Sequence, residues 1–166
     1  MKTFFLIVGI CTFLFTGMPS AFGGEENPEK KAMEQAIRKV VADGKYKIFA
    51  DRAYPSGGTS VSLTSGYTLE VRNDSVFSYL PYYGRAYTIP YGGGKGLIFD
   101  APISTYKAEY RKKGRVHIDF TVTNQEDTYH FFIVLFENGS ADIRISSANR
   151  RPISFKGNLE LPDSLR

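Results

Sequence analysis

The sequence of 166 residues is poor in the residue types that most often bind metals or carry thiol chemistry. It contains two histidines, one cysteine and no tryptophan. A protein zinc site needs several histidine or cysteine ligands, and a disulfide scaffold needs paired cysteines. The composition therefore predicts no metal, no cofactor and no disulfide. The 42% hydrophobic content is instead typical of one globular domain with its own core.

The first 23 residues have the organisation of a secretory signal. Lys2 supplies a positive charge, residues 4–15 form an apolar run, and Ala21 and Gly23 are small residues before a predicted cleavage at Gly24. The run is shorter than the roughly 20 residues of a membrane span, although an uncleaved anchor is the alternative. Cleavage would also remove Cys11. We therefore expect residues 24–166 to form one thiol-free domain, periplasmic or secreted, without a membrane span.

The charge of the chain does not indicate a nucleic-acid partner. Without the signal, 20 basic and 17 acidic residues leave a net charge of +3. Basic groups such as residues 111–115 and 150–151 flank turn signals and form no single basic face. We expect these charges to be solvated turn residues.

Residues 28–43 are predicted to form one amphipathic helix. Asn27 is suited to the N-cap, Pro28 to the first helical position and Gly44 to the left-handed position after the last turn. Six apolar residues recur at spacings of three and four, which predicts one stripe packed against β-structure: Ala32, Met33, Ala36, Ile37, Val40 and Val41.

From Lys45 onward, apolar and polar residues alternate, which predicts strands. A tight turn at Asn73–Asp74 with positive φ would pair Val71 with Val76. Residues 116–123 and 128–136 predict a hairpin around residues 124–127. Because the second of these strands has apolar side chains on both faces, with Phe132 and Val134 on the second face, we expect it to be covered on both.

The turn at Asn138–Gly139 poses a question of register. A two-residue loop would place Asp142 and Arg144 in an apolar row, whereas a three-residue loop, with Gly139 left-handed, places Ala141, Ile143 and Ile145 opposite Leu135, Ile133 and Phe131. The sequence favours the longer loop. About nine or ten strands in meander order follow, which predicts a mainly β fold: an antiparallel barrel or sandwich with one N-terminal helix.

Residues 81–96, here called the Tyr/Gly segment, differ from the strands. They hold four tyrosines, five glycines, two prolines, two basic residues and no acid. Tyrosine offers a flat apolar face and a hydroxyl, and glycine permits close approach to a ligand. This composition predicts binding of a small molecule, glycan or envelope protein, although a connection that caps a barrel end is the alternative. The candidate ligand-binding residues are Tyr82, Tyr83, Arg85, Tyr87, Tyr91, Lys95 and, from a later turn, Arg150.

Two other functional classes remain open. A metal-free hydrolase would use a serine with His117 or His130, although the sequence has no nucleophile elbow. A structural or interaction protein of the cell envelope is the second. Nucleotide binding is disfavoured, because Gly96 rather than serine or threonine follows Lys95. Short patterns for glycosylation occur around Ser75 and Ser164.

Several spaced motifs resemble an exported bacterial family known as domain of unknown function 4251. They run from Asn73 to Val76, from Leu80 to Tyr87, over Asn138–Gly139, and from Asn149 to Gly157. The resemblance implies a Gram-negative envelope location and implies no activity, ligand or catalytic residue. The sequence thus favours a non-enzymatic exported β-domain that binds through the Tyr/Gly segment.

Overall fold

The computed structural model describes residues 28–87 and 96–161. The predicted signal, the proposed cap Asn27 and Ser164 lie outside these residues. One helix precedes eight strands: α1 Pro28–Ala42, β1 Lys45–Pro55, β2 Val61–Arg72, β3 Ser75–Leu80, β4 Leu97–Tyr110, β5 Val116–Thr123, β6 Thr128–Leu135, β7 Ser140–Ser147 and β8 Ile153–Leu159.

The strands form a closed antiparallel barrel in meander order, in which β8 returns to pair with β1. This confirms the predicted fold class and selects the barrel over the sandwich. Eight strands occur among the described residues instead of nine or ten. The strand predicted near residues 59–63 continues into β2, and the strands predicted near 97–100 and 104–112 are both parts of β4. No turn interrupts either strand. Strand β4 only shifts its register, between Ile103 and Thr105.

Apolar side chains from the alternating rows fill the barrel. Phe120 of β5 and Phe131 of β6 stack at the centre with ring centroids 4.7 Å apart. Leu135 lies opposite Ala141, and Gly139 has a φ of 81°, as the three-residue loop requires. Val71 likewise lies opposite Val76. The alternation therefore predicted both registers, because any slip by one residue would turn the apolar row outward.

The second face of β6 is not covered, so this expectation was wrong. Phe132 is 40% exposed on the outside of the barrel. Its ring forms a T-shaped pair with the His117 ring, with centroids 5.7 Å apart. A barrel has one interior, which means that the second row of every strand faces outward unless another layer packs on it.

Helix α1 closes one end of the barrel, here called the helix end. Ile37 and Val41 are buried in the core. Gly44 ends the helix with a φ of 62°, and its carbonyl accepts a hydrogen bond of 2.8 Å from the amide of Asn73. At the helix N-terminus, Lys30 pairs with Glu137 at 3.2 Å. The predicted helix and its apolar stripe are thus confirmed. Within the described residues, no helix is long and apolar enough to cross a membrane.

Strand β4 belongs to two ladders, one after the other. Its first part, residues 97–102, pairs with β3, and the rest pairs with β5 from Ile103 onward. On the β5 side, residues 97–102 pair with no strand in the described part of the chain, because β5 ends at Thr123 and the chain turns through residues 124–127. Among residues 28–87 and 96–161, the barrel wall therefore has an open strand edge at this point.

Candidate functional site

The meander order places four connections at the end of the barrel opposite the helix, here called the loop end. They are the turns or loops after β1, β3, β5 and β7. The Tyr/Gly segment follows β3, and the turn with Arg150 follows β7. The topology therefore brings these two predicted regions together although they lie far apart in the chain.

Part of the Tyr/Gly segment pairs with the β7–β8 turn. Ala86 and Arg150 form an isolated β-bridge. The amide of Tyr87 donates to the carbonyl of Asn149 at 2.8 Å, and the amide of Arg151 donates to the carbonyl of Arg85 at 3.2 Å. These bonds hold the first residues of the segment across the loop end.

Tyr82 and Arg150 close the loop end. The Tyr82 hydroxyl lies 3.0 Å from the carbonyl oxygens of both Arg85 and Arg151. The Arg150 guanidinium lies 5.3 Å from the centroid of the Tyr82 ring and donates to Glu126 at 2.7 Å. Burial raises the pKa of Tyr82. Beneath them is a cavity of about 10 Å³, about the size of one water molecule, so this pair acts as a cover.

The other candidate residues divide into two groups. Tyr83, Arg85 and Tyr87 are exposed, and Tyr87 is 64% exposed, although its hydroxyl accepts a bond of 3.4 Å from Arg151. Tyr91 and Lys95 lie outside the described residues. The structure thus brings Tyr82 and Arg150 together, places Tyr87 beside the same turn, and leaves three side chains available to a ligand.

A groove of about 690 Å³ runs along the barrel wall beside the first part of β4, and we call it the flank groove. Its polar rim comes from the β5–β6 turn. Three large apolar side chains stand exposed in it: Phe77 at 37%, Tyr79 at 49% and Ile98 at 38%. The Tyr79 ring is braced by a stacked Tyr67 ring at 5.5 Å. The lining residues are Thr68, Phe77, Ser78, Tyr79, Ile98, Phe99, Asp100, Ala101, Pro102, Thr123, Asn124, Gln125 and Glu126.

The charge of the flank groove has one sign. Asp100 and Glu126 are its charged lining residues, and its described lining includes no lysine, arginine or histidine. Arg72 lies over the Phe77 ring at 4.9 Å, but its charge is paired with Glu70. Glu126 also pairs with Arg150, so Asp100 is the more available carboxylate. Anionic ligands would meet repulsion here, and neutral or cationic ones would not. The flank groove was not predicted from the sequence, although two aromatic residues on the outer row of β3 were the signal that could have indicated it.

Ser146 lies opposite His130 in the β6–β7 ladder, but no hydrogen bond joins a histidine to a serine in the part of the chain that the structure describes. His130 is exposed, and its Nδ1 lies 3.3 Å from Thr121 Oγ1. His117 lies opposite Glu109 in the β4–β5 ladder, but Lys107 and Arg111 hold that carboxylate and keep its pKa low. No cluster of three or more metal-ligating side chains occurs among residues 28–87 and 96–161.

Comparison with known proteins identifies the fold and gives no activity. A family model described as "Domain of unknown function (DUF4251)" matches residues 28–159. The crystal structure of a DUF4251 family protein from Bacteroides eggerthii is similar to this chain, with 16% sequence identity and a TM-score of 0.60. The similarity covers 78% of this chain and 88% of that one. No curated protein matches the chain.

Proposed function

Because the chain belongs to the DUF4251 family, whose description assigns no activity, we propose a function from the site itself: a non-enzymatic binding domain. Its ligand lies in the flank groove, and the exposed residues of the Tyr/Gly segment border that ligand at the loop end. The filled barrel interior supports an outer site, because core side chains such as Phe120 and Phe131 occupy the space that an internal ligand would need.

The observation that carries this proposal is the exposed ring of Tyr79 within a concave groove. An aromatic ring that is 49% exposed and braced by a second ring presents apolar surface in a fixed orientation. Small-molecule sites combine such apolar surface with a few polar groups that fix the ligand. Gln125 and Asp100 supply such groups here. Single exposed apolar residues are common on barrels, but three in one groove are a stronger indication.

The predicted residues take different roles in this proposal. We expect Tyr83, Arg85 and Tyr87 to contact the part of the ligand nearest the loop end, since they are exposed. Tyr82 and Arg150 instead hold the segment in place through their bonds to backbone and to Glu126. Replacing either of the two would change binding indirectly, by loosening the loop end.

Amide chemical shifts test the proposal. Adding a library of small aromatic and polyol fragments to the isotope-labelled protein should shift the amides of residues 97–101 and 123–126 most. Tyr79→Ala should weaken the binding of every fragment that shifts these amides by at least tenfold. Phe132→Ala is the matched control, because Phe132 is a similarly exposed ring on the opposite wall. Equal losses in the two variants, or shifts confined to other surfaces, would contradict the proposal.

The proposed location is the periplasm or the extracellular space. The apolar run over residues 4–15 and the small residues before Gly24 support export. Expression of the full sequence in a Gram-negative host should yield a periplasmic chain whose intact mass is that of a chain starting at Gly24. A chain that keeps Met1 and stays with the membrane fraction would instead indicate the uncleaved anchor.

A further inference from the structure

We infer that the flank groove receives an extended polypeptide segment, which adds as a strand to the open edge of β4. This inference rests on the proposed function and names the class of partner. It is carried by the hydrogen-bonding direction of residues 97–102, by the surfaces that line the groove, and by the charge of its rim.

The direction of the backbone groups follows from one hydrogen bond. The amide of Ile103 donates to the carbonyl of Asp74 at 2.7 Å, on the β3 side. In an antiparallel strand, the backbone groups of alternate residues point to opposite edges. Phe99 and Ala101 therefore bond to β3, whereas the amides and carbonyls of Ile98 and Asp100 point into the groove.

The position of a proline agrees with this direction. Pro102 has no amide hydrogen, and by the same alternation its nitrogen faces the groove. Proline within a sheet is confined to edges and bulges, because elsewhere it would remove a ladder hydrogen bond. Pro102 still lies opposite Ser75 in the β3–β4 ladder. It thus marks the groove side of β4 as the unpaired side.

The lining of the flank groove also shows that the strand edge forms part of its surface. Ile98 and Asp100 belong to the outer row of β4, and Phe99 and Ala101 belong to the inner row, yet all four line the same groove. Successive side chains of a strand point to opposite faces. Residues 123–126 line the same groove and follow the end of β5, so the groove extends across the side of β4 on which residues 97–102 are not paired with β5.

The dimensions and the charge indicate what kind of strand would fit. The six residues of the edge span roughly 20 Å, which is long enough for a short peptide added as in other strand-addition complexes. Apolar side chains of the added strand would meet Phe99 and Ala101, and its outward side chains would lie beside Asp100. We therefore expect an extended segment in which apolar and basic or neutral residues alternate, and we expect acidic segments to be excluded.

Amide exchange tests the open edge directly. In the natively folded protein, the amides of Ile98 and Asp100 should exchange with solvent at least a hundredfold faster than those of Phe99 and Ala101. Equal protection of all four amides would mean that the edge is already paired, and it would overturn the inference.

Peptide binding tests the partner class. The probe is an acetylated, amidated heptapeptide of alternating valine and lysine, and its controls are the same peptide with alternate backbone nitrogens methylated and a valine–glutamate version. The first should bind with shifts at residues 97–102, and both controls should bind at least tenfold more weakly. Equal binding of the methylated peptide, or no binding of the first, would overturn strand addition.

Two variants and two further observations complete the test. Asp100→Pro should abolish binding of the valine–lysine peptide, whereas Asp100→Asn, which keeps the amide, should retain it within about threefold. If the proline variant does not fold, the methylated peptide on the wild type decides alone. Binding of maltohexaose but not of the peptide would overturn the inference and leave the proposed function standing. A dimer joined through this edge would assign it to a second copy and also overturn the inference.

Discussion

Gly157 provides a sharp test of the barrel wall. It lies in β8 opposite Ala50, next to the register shift of β1 between Ala50 and Arg52. A Cβ at Gly157 would overlap the carbonyl oxygen of Phe49 and lie 2.8 Å from its carbonyl carbon. Both atoms are backbone and have no rotamer in which to move away. The Gly157→Ala variant therefore requires β1 itself to shift.

The cost of that shift is at the upper end of the range for overpacking, about 3 kcal/mol. Domains of this size are stable by only about 5–15 kcal/mol, and 1 kcal/mol changes the melting temperature by roughly 2–4 °C. We therefore expect Gly157→Ala to lower the melting temperature by about 6–12 °C in a calorimetric or circular-dichroism scan.

A matched control separates the contact from the general effect of replacing glycine in a strand. Gly66 lies in β2, and a Cβ there would meet nothing within 4 Å. Gly66→Ala should change stability by less than about 1 kcal/mol, in the stabilising direction, because it reduces the entropy of the unfolded chain. If the two variants melt at the same temperature, the close approach of β1 and β8 described above is wrong.

Three further predictions concern the two barrel ends and the core. Arg150→Ala removes a buried guanidinium from Glu126 and should lower the free energy of unfolding in urea by about 2 kcal/mol; an unchanged value would favour a direct ligand-binding role for Arg150. Burial raises the pKa of Tyr46, so its stabilising contribution is complete below about pH 10 and is lost as the pH rises through its folded pKa. Melting temperatures from pH 8 to 11 should therefore fall less steeply in Tyr46→Phe than in the wild type, and equal slopes would argue against this cause. Ile37→Ala at the helix end should lower the free energy of unfolding in urea by about 3 kcal/mol, whereas Gln35→Ala on the exposed side of α1 should leave it almost unchanged. An equal decrease in both variants would contradict the packing of α1 on the barrel.

Local patterns were enough to predict most of the fold. Pro28, Gly44 and the apolar stripe located α1, and the alternation around Asn73 and Gly139 fixed two hairpin registers. These features depend on residues within a few positions of one another. The number of strands was less predictable, because the continuity of β2 and β4 depends on partners elsewhere in the barrel. The exposure of Phe132 was missed for the same reason: the covering of a strand's second face is a property of the assembled fold.

The candidate site was only partly predictable. Composition identified the Tyr/Gly segment, and the structure joins it to Arg150 through the Ala86–Arg150 bridge. The flank groove could not be inferred in the same way, because it arises where β5 ends before the first part of β4 is paired. That mismatch in strand lengths is set by long-range pairing. The aromatic residues Phe77 and Tyr79 were visible in the sequence, but alternation alone did not distinguish a binding surface from a solvated wall.

The change of partners along β4 also bears on how the barrel withstands force. Strand β4 joins the ladders of β1–β3 to those of β5–β8 on one side of the barrel, and the pairing of β8 with β1 joins them on the other. If the barrel were pulled apart across β4, we expect the register shift next to Ile103 to carry the load, because one ladder gives way to the next there. A peptide strand paired along residues 97–102 would share that load, so an occupied groove should raise the force needed to unfold the barrel.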